Sequence, residues 1–149
     1  MKHLLIIFSI LFSAAFSAQE TPEKPAEPTS VGQLQEYGTL VKKMNLKDAV
    51  LSADVKPEYP GGFGAFGRKF AENMETVKLK NNEQLDTKLY FIVEKDGYIR
   101  NATATGTNKK HVEAAEAGIK RVFERWKPAQ KNGKPVRYLY IVPLFSKKY

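Results

Sequence analysis

Cysteine is absent from the 149 residues of the chain, and histidine occurs only twice, as His3 and His111. Without cysteine the chain cannot form disulfides, zinc ribbons, iron–sulfur clusters or a thiol nucleophile. Two histidines are too few for a metal site of clustered imidazoles, and only His111 could act as the base of a Ser-His-Asp arrangement. His111 follows Lys109 and Lys110 in the first turn of a predicted helix, with no Ser, Asp or Glu placed to form a relay. We therefore predict a solvated surface histidine and no metal or catalytic site.

A hydrophobic run long enough to span a membrane is missing as well. The longest run, residues 4–16, has 13 residues, whereas a spanning helix needs about 20. It follows Lys2 and His3 and ends in small residues, which is typical of a secretory signal peptide over residues 1–18. We expect cleavage near residue 17 or 18. The alternative is an uncleaved anchor.

Acidic side chains are scarce: 16 Asp and Glu stand against 24 Lys and Arg, for a net charge of +8. The basic residues are spread over every predicted element and form no stripe, and the chain is predicted to be exported. This favours a solvated basic surface and no nucleic-acid partner. The carboxylates are scattered too, so no acid–base pair can be assigned.

A glycine-rich motif lies at the start of the first predicted helix of this chain. Residues 62–67, GFGAFG, match the G-x-G-x-x-G pattern of dinucleotide-binding turns. Pro57 and Pro60 interrupt the strand that must precede such a turn, and the chain is too short for a doubly wound sheet. We therefore interpret the motif as a flexible entry to a helix, and predict no cofactor, no small-molecule substrate and no enzymatic activity.

The chain divides into four parts. Residues 19–30, with three prolines in twelve positions, predict an extended tether after the signal peptide. Residues 31–54 form a connecting segment of uncertain structure. In it, Leu34, Tyr37, Val41 and Met44 favour a weak helix, and the alternation over residues 51–55 favours a short strand. Residues 55–149 form the folded domain.

Within this domain the patterns are clearer. Phe63, Phe66, Phe70 and Met74 recur at helical spacing and predict a helix of about three turns. The alternation over residues 85–94 predicts a strand. Asp96-Gly97 then predicts a two-residue type I′ hairpin turn. Its register pairs Val93 with Arg100, Phe91 with Ala102 and Leu89 with Ala104.

A second helix is predicted from Lys109 to Arg125 or Trp126, with Trp126 as a buried anchor. Asn132-Gly133 turns the chain into a last strand over residues 136–145. Pro143 cannot donate to a ladder, so this strand should lie at a sheet edge or end there. The sequence thus predicts an α+β fold in which two helices pack on a small antiparallel sheet. The order is helix-strand-strand-helix-strand, with an edge strand at the C-terminus.

Six short motifs follow one another along this domain. They are YPGG at 59–62, DGYI at 96–99, the Ala114-Ala115 pair, WKPA at 126–129, NGKPV at 132–136 and PLF at 143–145. In their order and spacing they resemble the TonB C-terminal domain family, over about residues 55–145. Members of that family carry energy from a proton-driven inner-membrane motor to outer-membrane receptors that import siderophores, cobalamin or glycans.

The resemblance implies a periplasmic protein whose partner is an outer-membrane TonB-dependent receptor. In the family, the last strand takes up the extended TonB box of the receptor as an added strand, close to the segment before the Tyr-Pro motif. The partner-binding residues implied here are Lys56, Glu58, Tyr59, Arg137, Tyr138, Leu139, Tyr140, Ile141 and Val142.

The leader and the tether differ from those of a full transducer. Such a protein keeps an uncleaved anchor and a long proline-rich spacer, whereas residues 19–30 reach about 40 Å at about 3.1 Å per residue. The inner-membrane motor is therefore a partner only if the N-terminal segment is an uncleaved anchor. The alternative function is a stand-alone periplasmic scaffold, or a subunit of an envelope complex, with the same fold but no energy coupling.

Overall fold

The computed structural model describes residues 27–79 and 85–145, so the predicted signal peptide and most of the tether lie outside the described residues. A 3₁₀ turn, Val31–Gln33, precedes three helices and five strands in the described chain. The helices are α1 (Tyr37–Lys43), α2 (Gly62–Asn73) and α3 (Lys109–Ile119). The strands are β1 (Ala49–Val50), β2 (Thr87–Val93), β3 (Ile99–Thr105), β4 (Ala129–Lys131) and β5 (Lys134–Leu144). The predicted α+β class is confirmed.

The sheet differs from the predicted one in two respects. Its strand order is β1-β5-β2-β3, and β4 forms a hairpin with the start of β5. β5 is antiparallel to β2 but parallel to β1, which pairs with Arg137 and Tyr138. The sheet is therefore mixed, not purely antiparallel. The prediction that the C-terminal strand lies at the sheet edge is wrong for the start of β5, because β1 covers it there.

Both faces of the sheet are covered. On one face, Phe91 of β2 packs with Phe66 and Phe70 of α2 and with Trp126. On the other, Tyr90, Ile92 and Leu139 pack with Leu34, Leu40 and Met44. Residues 31–54 therefore form a second cover on the sheet. Their predicted helix is present as α1, but Tyr37 and Val41 are 41% and 44% exposed, because only one side of this short helix faces the sheet.

The β2–β3 hairpin confirms part of the predicted register. Leu89 pairs with Ala104 and Phe91 with Ala102, but Val93 pairs with Ile99 and not with Arg100. The prediction of a two-residue type I′ turn is wrong. The Glu94 N–H donates to the Tyr98 carbonyl at 2.9 Å and closes a three-residue loop. In the Asp96-Gly97 pair only Gly97 has a positive φ, of 88°. A Cβ at Gly97 would clash with the Trp126 carbonyl oxygen, so the loop needs glycine here.

The second predicted helix is too long. α3 ends at Ile119, and the Val122 N–H donates to the Ile119 carbonyl in a tighter turn. The chain leaves the helix so that the Trp126 N–H can donate to the Gly97 carbonyl at 2.9 Å. Trp126 is nonetheless 2% exposed, so its predicted role as a buried anchor is confirmed. The predicted turn at Asn132-Gly133 is confirmed as well, with φ values of 51° and 71°.

His111 is buried, which overturns the prediction of a solvated residue. It is 8% exposed, and its Nδ1 lies 2.8 Å from the Thr87 Oγ1 of β2. The first turn of α3 faces the sheet here, and the Asn108 side chain caps it by accepting from the His111 N–H at 3.0 Å. Burial lowers the pKa of His111.

Acidification should therefore destabilise the protein through His111. The pKa in the folded state lies below the usual value of 6.5, so the unfolded chain takes up the proton first as the pH falls. The stabilising effect is complete above about pH 6.5 and is lost progressively as the pH falls to the folded pKa, at no more than about 1.4 kcal/mol per pH unit. Urea unfolding of wild type and His111→Gln, between about pH 7.5 and 5.5, should show a weaker pH dependence in the variant. Equal pH dependences would contradict this role.

Candidate strand-binding edge

The backbone of β5 presents alternate residues to its two edges. The N–H of Glu94, the residue after β2, points to the β3 side, where it donates to the carbonyl of Tyr98, the residue before β3. Since neighbouring residues of a strand point their backbone groups in opposite directions, Val93 points to β5 and its partner Tyr138 points back. Tyr138, Tyr140, Val142 and Leu144 therefore bond to β2. The backbone groups of Leu139, Ile141 and Pro143 point to the other edge.

That outer edge is only partly occupied. β1 pairs with Arg137 and Tyr138, and this pairing reaches as far as the N–H of Leu139. Beyond β1, no backbone group of the described residues pairs with Ile141 on this side. Among the described residues, Ile141 thus has an unpaired N–H and an unpaired carbonyl, flanked by the carbonyls of Leu139 and Pro143. The arrangement can pair with a short extended backbone.

The opposite edge of the sheet, β3, is capped by side chains at Ala104. The N–H of Ala104 donates to Glu116 Oε1 at 2.9 Å, and its carbonyl accepts from Lys43 Nζ at 3.4 Å. Thr103 Oγ1 also donates to Glu116 Oε1, at 2.8 Å. At Ala104 these side chains occupy the place that an added strand would take, which is a common protection of sheet edges.

Aromatic side chains border the open edge on the α2 side. The Tyr140 ring centroid lies 5.2 Å from that of Phe91 and 5.6 Å from that of Phe63. The Tyr140 hydroxyl donates to the Pro57 carbonyl at 2.9 Å. Burial, with Tyr138 nearby, raises the pKa of Tyr140 to about 12. The segment before the Tyr-Pro motif and the last strand therefore lie side by side.

Arg137, an implied partner contact, is occupied by the protein itself. Its Nε and Nη2 donate to the two carboxylate oxygens of Glu94 at 2.7 and 2.9 Å. It also donates to the carbonyls of Asn45, at 3.0 Å, and Lys47. The side chains of Arg137 and Glu94 are 12% and 15% exposed, and the hydrogen bond from Arg137 lowers the pKa of Glu94. Arg137 thus holds the loop after α1 on the sheet.

The other implied contacts divide into accessible and buried residues. Lys56 is exposed, and Glu58 is exposed but pairs with Lys127 at 2.9 Å. Ile141, Val142 and Tyr140 are half-buried. The side chains of Tyr59, Tyr138 and Leu139 are 4%, 5% and 2% exposed. A partner can therefore reach their backbone more readily than their side chains.

Phe63 borders the edge but was not among the residues expected to bind a partner. The sequence places it in the buried stripe of α2, whereas the structure leaves it 49% exposed. The one hint in the sequence is its position in the first turn of the helix, at the end of the stripe.

No protein-family model, curated protein or solved structure matches this chain. Within residues 27–79 and 85–145, no three His, Asp or Glu side chains are grouped to hold a metal ion. In the same part of the chain, no helix has the length and hydrophobicity of a membrane span.

Proposed function

We propose that this protein is a periplasmic TonB-like domain that binds an extended segment, the TonB box, of an outer-membrane TonB-dependent receptor. Binding occurs by strand addition to β5 and contributes to energy-dependent transport across the outer membrane. The family resemblance of the motifs supports the identity of the partner. The observation that carries the binding mode is the N–H and carbonyl of Ile141, which have no partner among the described residues on the outer edge of β5.

The size of the open edge sets the strength of such a complex. Four backbone groups are available, from Leu139, Ile141 and Pro143, and each hydrogen bond contributes about 0.5–1.5 kcal/mol net. Pairing alone then stabilises the complex by about 2–6 kcal/mol, before the cost of association is subtracted. The contact is therefore weak and reversible unless side chains contribute, as suits a receptor that must be engaged and released.

Affinity capture from envelope extracts tests the partner. The full chain is used as bait, with Ile141→Pro as the disabled bait and Ile141→Ala as its matched control. TonB-dependent receptors should be captured by wild type and Ile141→Ala but not by Ile141→Pro. Capture of other envelope proteins without any receptor would contradict the proposal and favour the scaffold alternative.

The N-terminus of the native protein tests export. We expect the mature chain to begin at Ala18 or Gln19 and to occur in the soluble periplasmic fraction, because the hydrophobic run of residues 4–16 is short and is followed by small residues. Mass spectrometry of the native protein measures this directly. If the protein instead keeps Met1 and stays in the membrane fraction after carbonate washing, it is an anchored transducer that contacts the inner-membrane motor.

A further inference from the structure

Phe63 is an aromatic residue that the fold leaves half uncovered. Its ring centroid lies 5.3 Å from that of Phe66 and 5.6 Å from that of Tyr140, so one side of the ring is fixed against the core. The side chain is still 49% exposed. It stands in the first turn of α2, above the part of β5 whose outer edge is open.

The contacts of α2 show which way this uncovered side faces. Asn73 Nδ2 donates to the Arg121 carbonyl at 3.4 Å, and Lys69 Nζ lies 3.8 Å from Glu124 Oε1. These contacts place one flank of α2 toward the end of α3. At 3.6 residues per turn, Phe63 lies roughly 80–120° around the helix from Asn73 and Lys69, on the side of α2 that contacts the sheet. Its ring contacts Tyr140 of β5, so its uncovered part lies above that strand.

We propose that Phe63 determines which segments β5 accepts, by seating one large apolar side chain of the added strand. This inference rests on the proposed strand addition. Residues of an added strand alternate between the two faces of the sheet, so some of them point to the α2 side, where Tyr140 and Phe63 form an apolar surface. The partner is thus an extended segment with a leucine-like or aromatic residue at that position.

Gly67 keeps this surface open. It lies four residues after Phe63, and no atom lies within 4 Å of the point where its Cβ would stand. A side chain on a helix leans toward the preceding turn, so a leucine at this position would cover the Phe63 ring as an i, i+4 pair. Glycine is a poor helix former, and the protein nevertheless has it here.

Short blocked threonine peptides, with a single leucine placed at each position in turn, are suitable probes. Their affinity for the full chain is measured by calorimetry against the all-threonine peptide. For wild type, leucine at one position should tighten binding roughly tenfold, the usual effect of burying such a side chain. Phe63→Ser should abolish this preference. Gly67→Leu should abolish it too, without lowering the thermal midpoint. Phe123→Ser, which alters a phenylalanine that is 76% exposed after α3, is the matched control and should keep the preference.

The results separate this inference from the proposed function. Phe63 is not the selecting residue if no leucine position binds more tightly than all-threonine, or if Phe63→Ser keeps the preference. In contrast, if Ile141→Pro binds every peptide as wild type does, or if no peptide binds to wild type, strand addition at β5 fails and the inference fails with it.

Discussion

Replacing Trp126 by alanine should lower the free energy of unfolding by about 3–5 kcal/mol, the range for removing a large buried aromatic side chain. Its ring centroid lies 5.1 Å from that of Phe66, 5.2 Å from Tyr59, 5.5 Å from Tyr140 and 5.8 Å from Phe91. Trp126 therefore joins α2, the Tyr-Pro segment and two strands of the sheet. Alanine would leave a cavity that none of these elements can fill without moving.

Two further variants sharpen this test. The indole N–H of Trp126 is buried and has no hydrogen-bond partner in the described chain, so Trp126→Phe removes an unsatisfied donor and keeps most of the packing. It should cost less than Trp126→Ala. Phe123→Ala, at a phenylalanine that is 76% exposed, should change stability by no more than about 0.5 kcal/mol. Urea unfolding measures all three, and an unchanged midpoint for Trp126→Ala would show that its burial contributes little.

Local sequence patterns predicted the elements whose contacts join residues close in sequence. The helical spacing of Phe63, Phe66 and Phe70 predicts α2, and the pairing of Phe91 with Ala102 follows from alternation and a nearby turn. The spacing of apolar residues predicts such contacts because it depends only on neighbouring positions in the sequence. The end of α3 is different, since it is set by the bond between Trp126 and Gly97, which lies 29 residues away in the sequence.

Long-range contacts account for the features that the sequence did not predict. β1 has two residues, too few for any period, and it exists because Arg137 and the sheet hold the preceding loop. The sequence around His111 gives no signal that it is buried, because only the packing of α3 on β2 brings it to Thr87. Both depend on pairing between distant segments, and a single sequence does not encode such pairing in a periodic form.

The sequence predicted the candidate site as a C-terminal edge strand, but not which of its residues face the open edge. The family resemblance implies β5 as the binding strand, and alternation implies that neighbouring residues differ in direction. Which residue faces which edge depends on the hairpin bond of Glu94 and on the register of β2 with β5. That assignment lets the roles of Tyr140 and Ile141 be separated.

Tyr140→Pro should unfold the domain. The backbone of Tyr140 points to Phe91 in β2, so proline removes a hydrogen bond between two central strands and forces the backbone into a poor geometry for a ladder. It also removes the ring that lies against Phe91 and Phe63. Tyr140→Ala loses the same ring but keeps the N–H, so the stability difference between the two variants isolates the backbone effect. Equal thermal midpoints would contradict the assigned direction of Tyr140.

Ile141→Pro should leave the domain folded and abolish binding of extended peptides. The Ile141 N–H is the one backbone donor left on the open stretch of β5, because β1 takes the N–H of Leu139 and Pro143 has none. Its loss removes a hydrogen bond of about 0.5–1.5 kcal/mol and places a proline ring where the partner backbone must lie. Ile141→Ala removes the side chain but keeps the donor and the access, so it should bind much as wild type does.

Thermal midpoints and peptide affinities of wild type, Ile141→Ala and Ile141→Pro are measured together. Strand addition requires that both variants remain folded and that only the proline variant loses binding. If folded Ile141→Pro binds receptor peptides as tightly as wild type, the partner does not pair with this edge. If Ile141→Ala loses as much affinity as Ile141→Pro, side-chain contact and not backbone pairing dominates, and β5 acts as an apolar surface instead of a template for a strand.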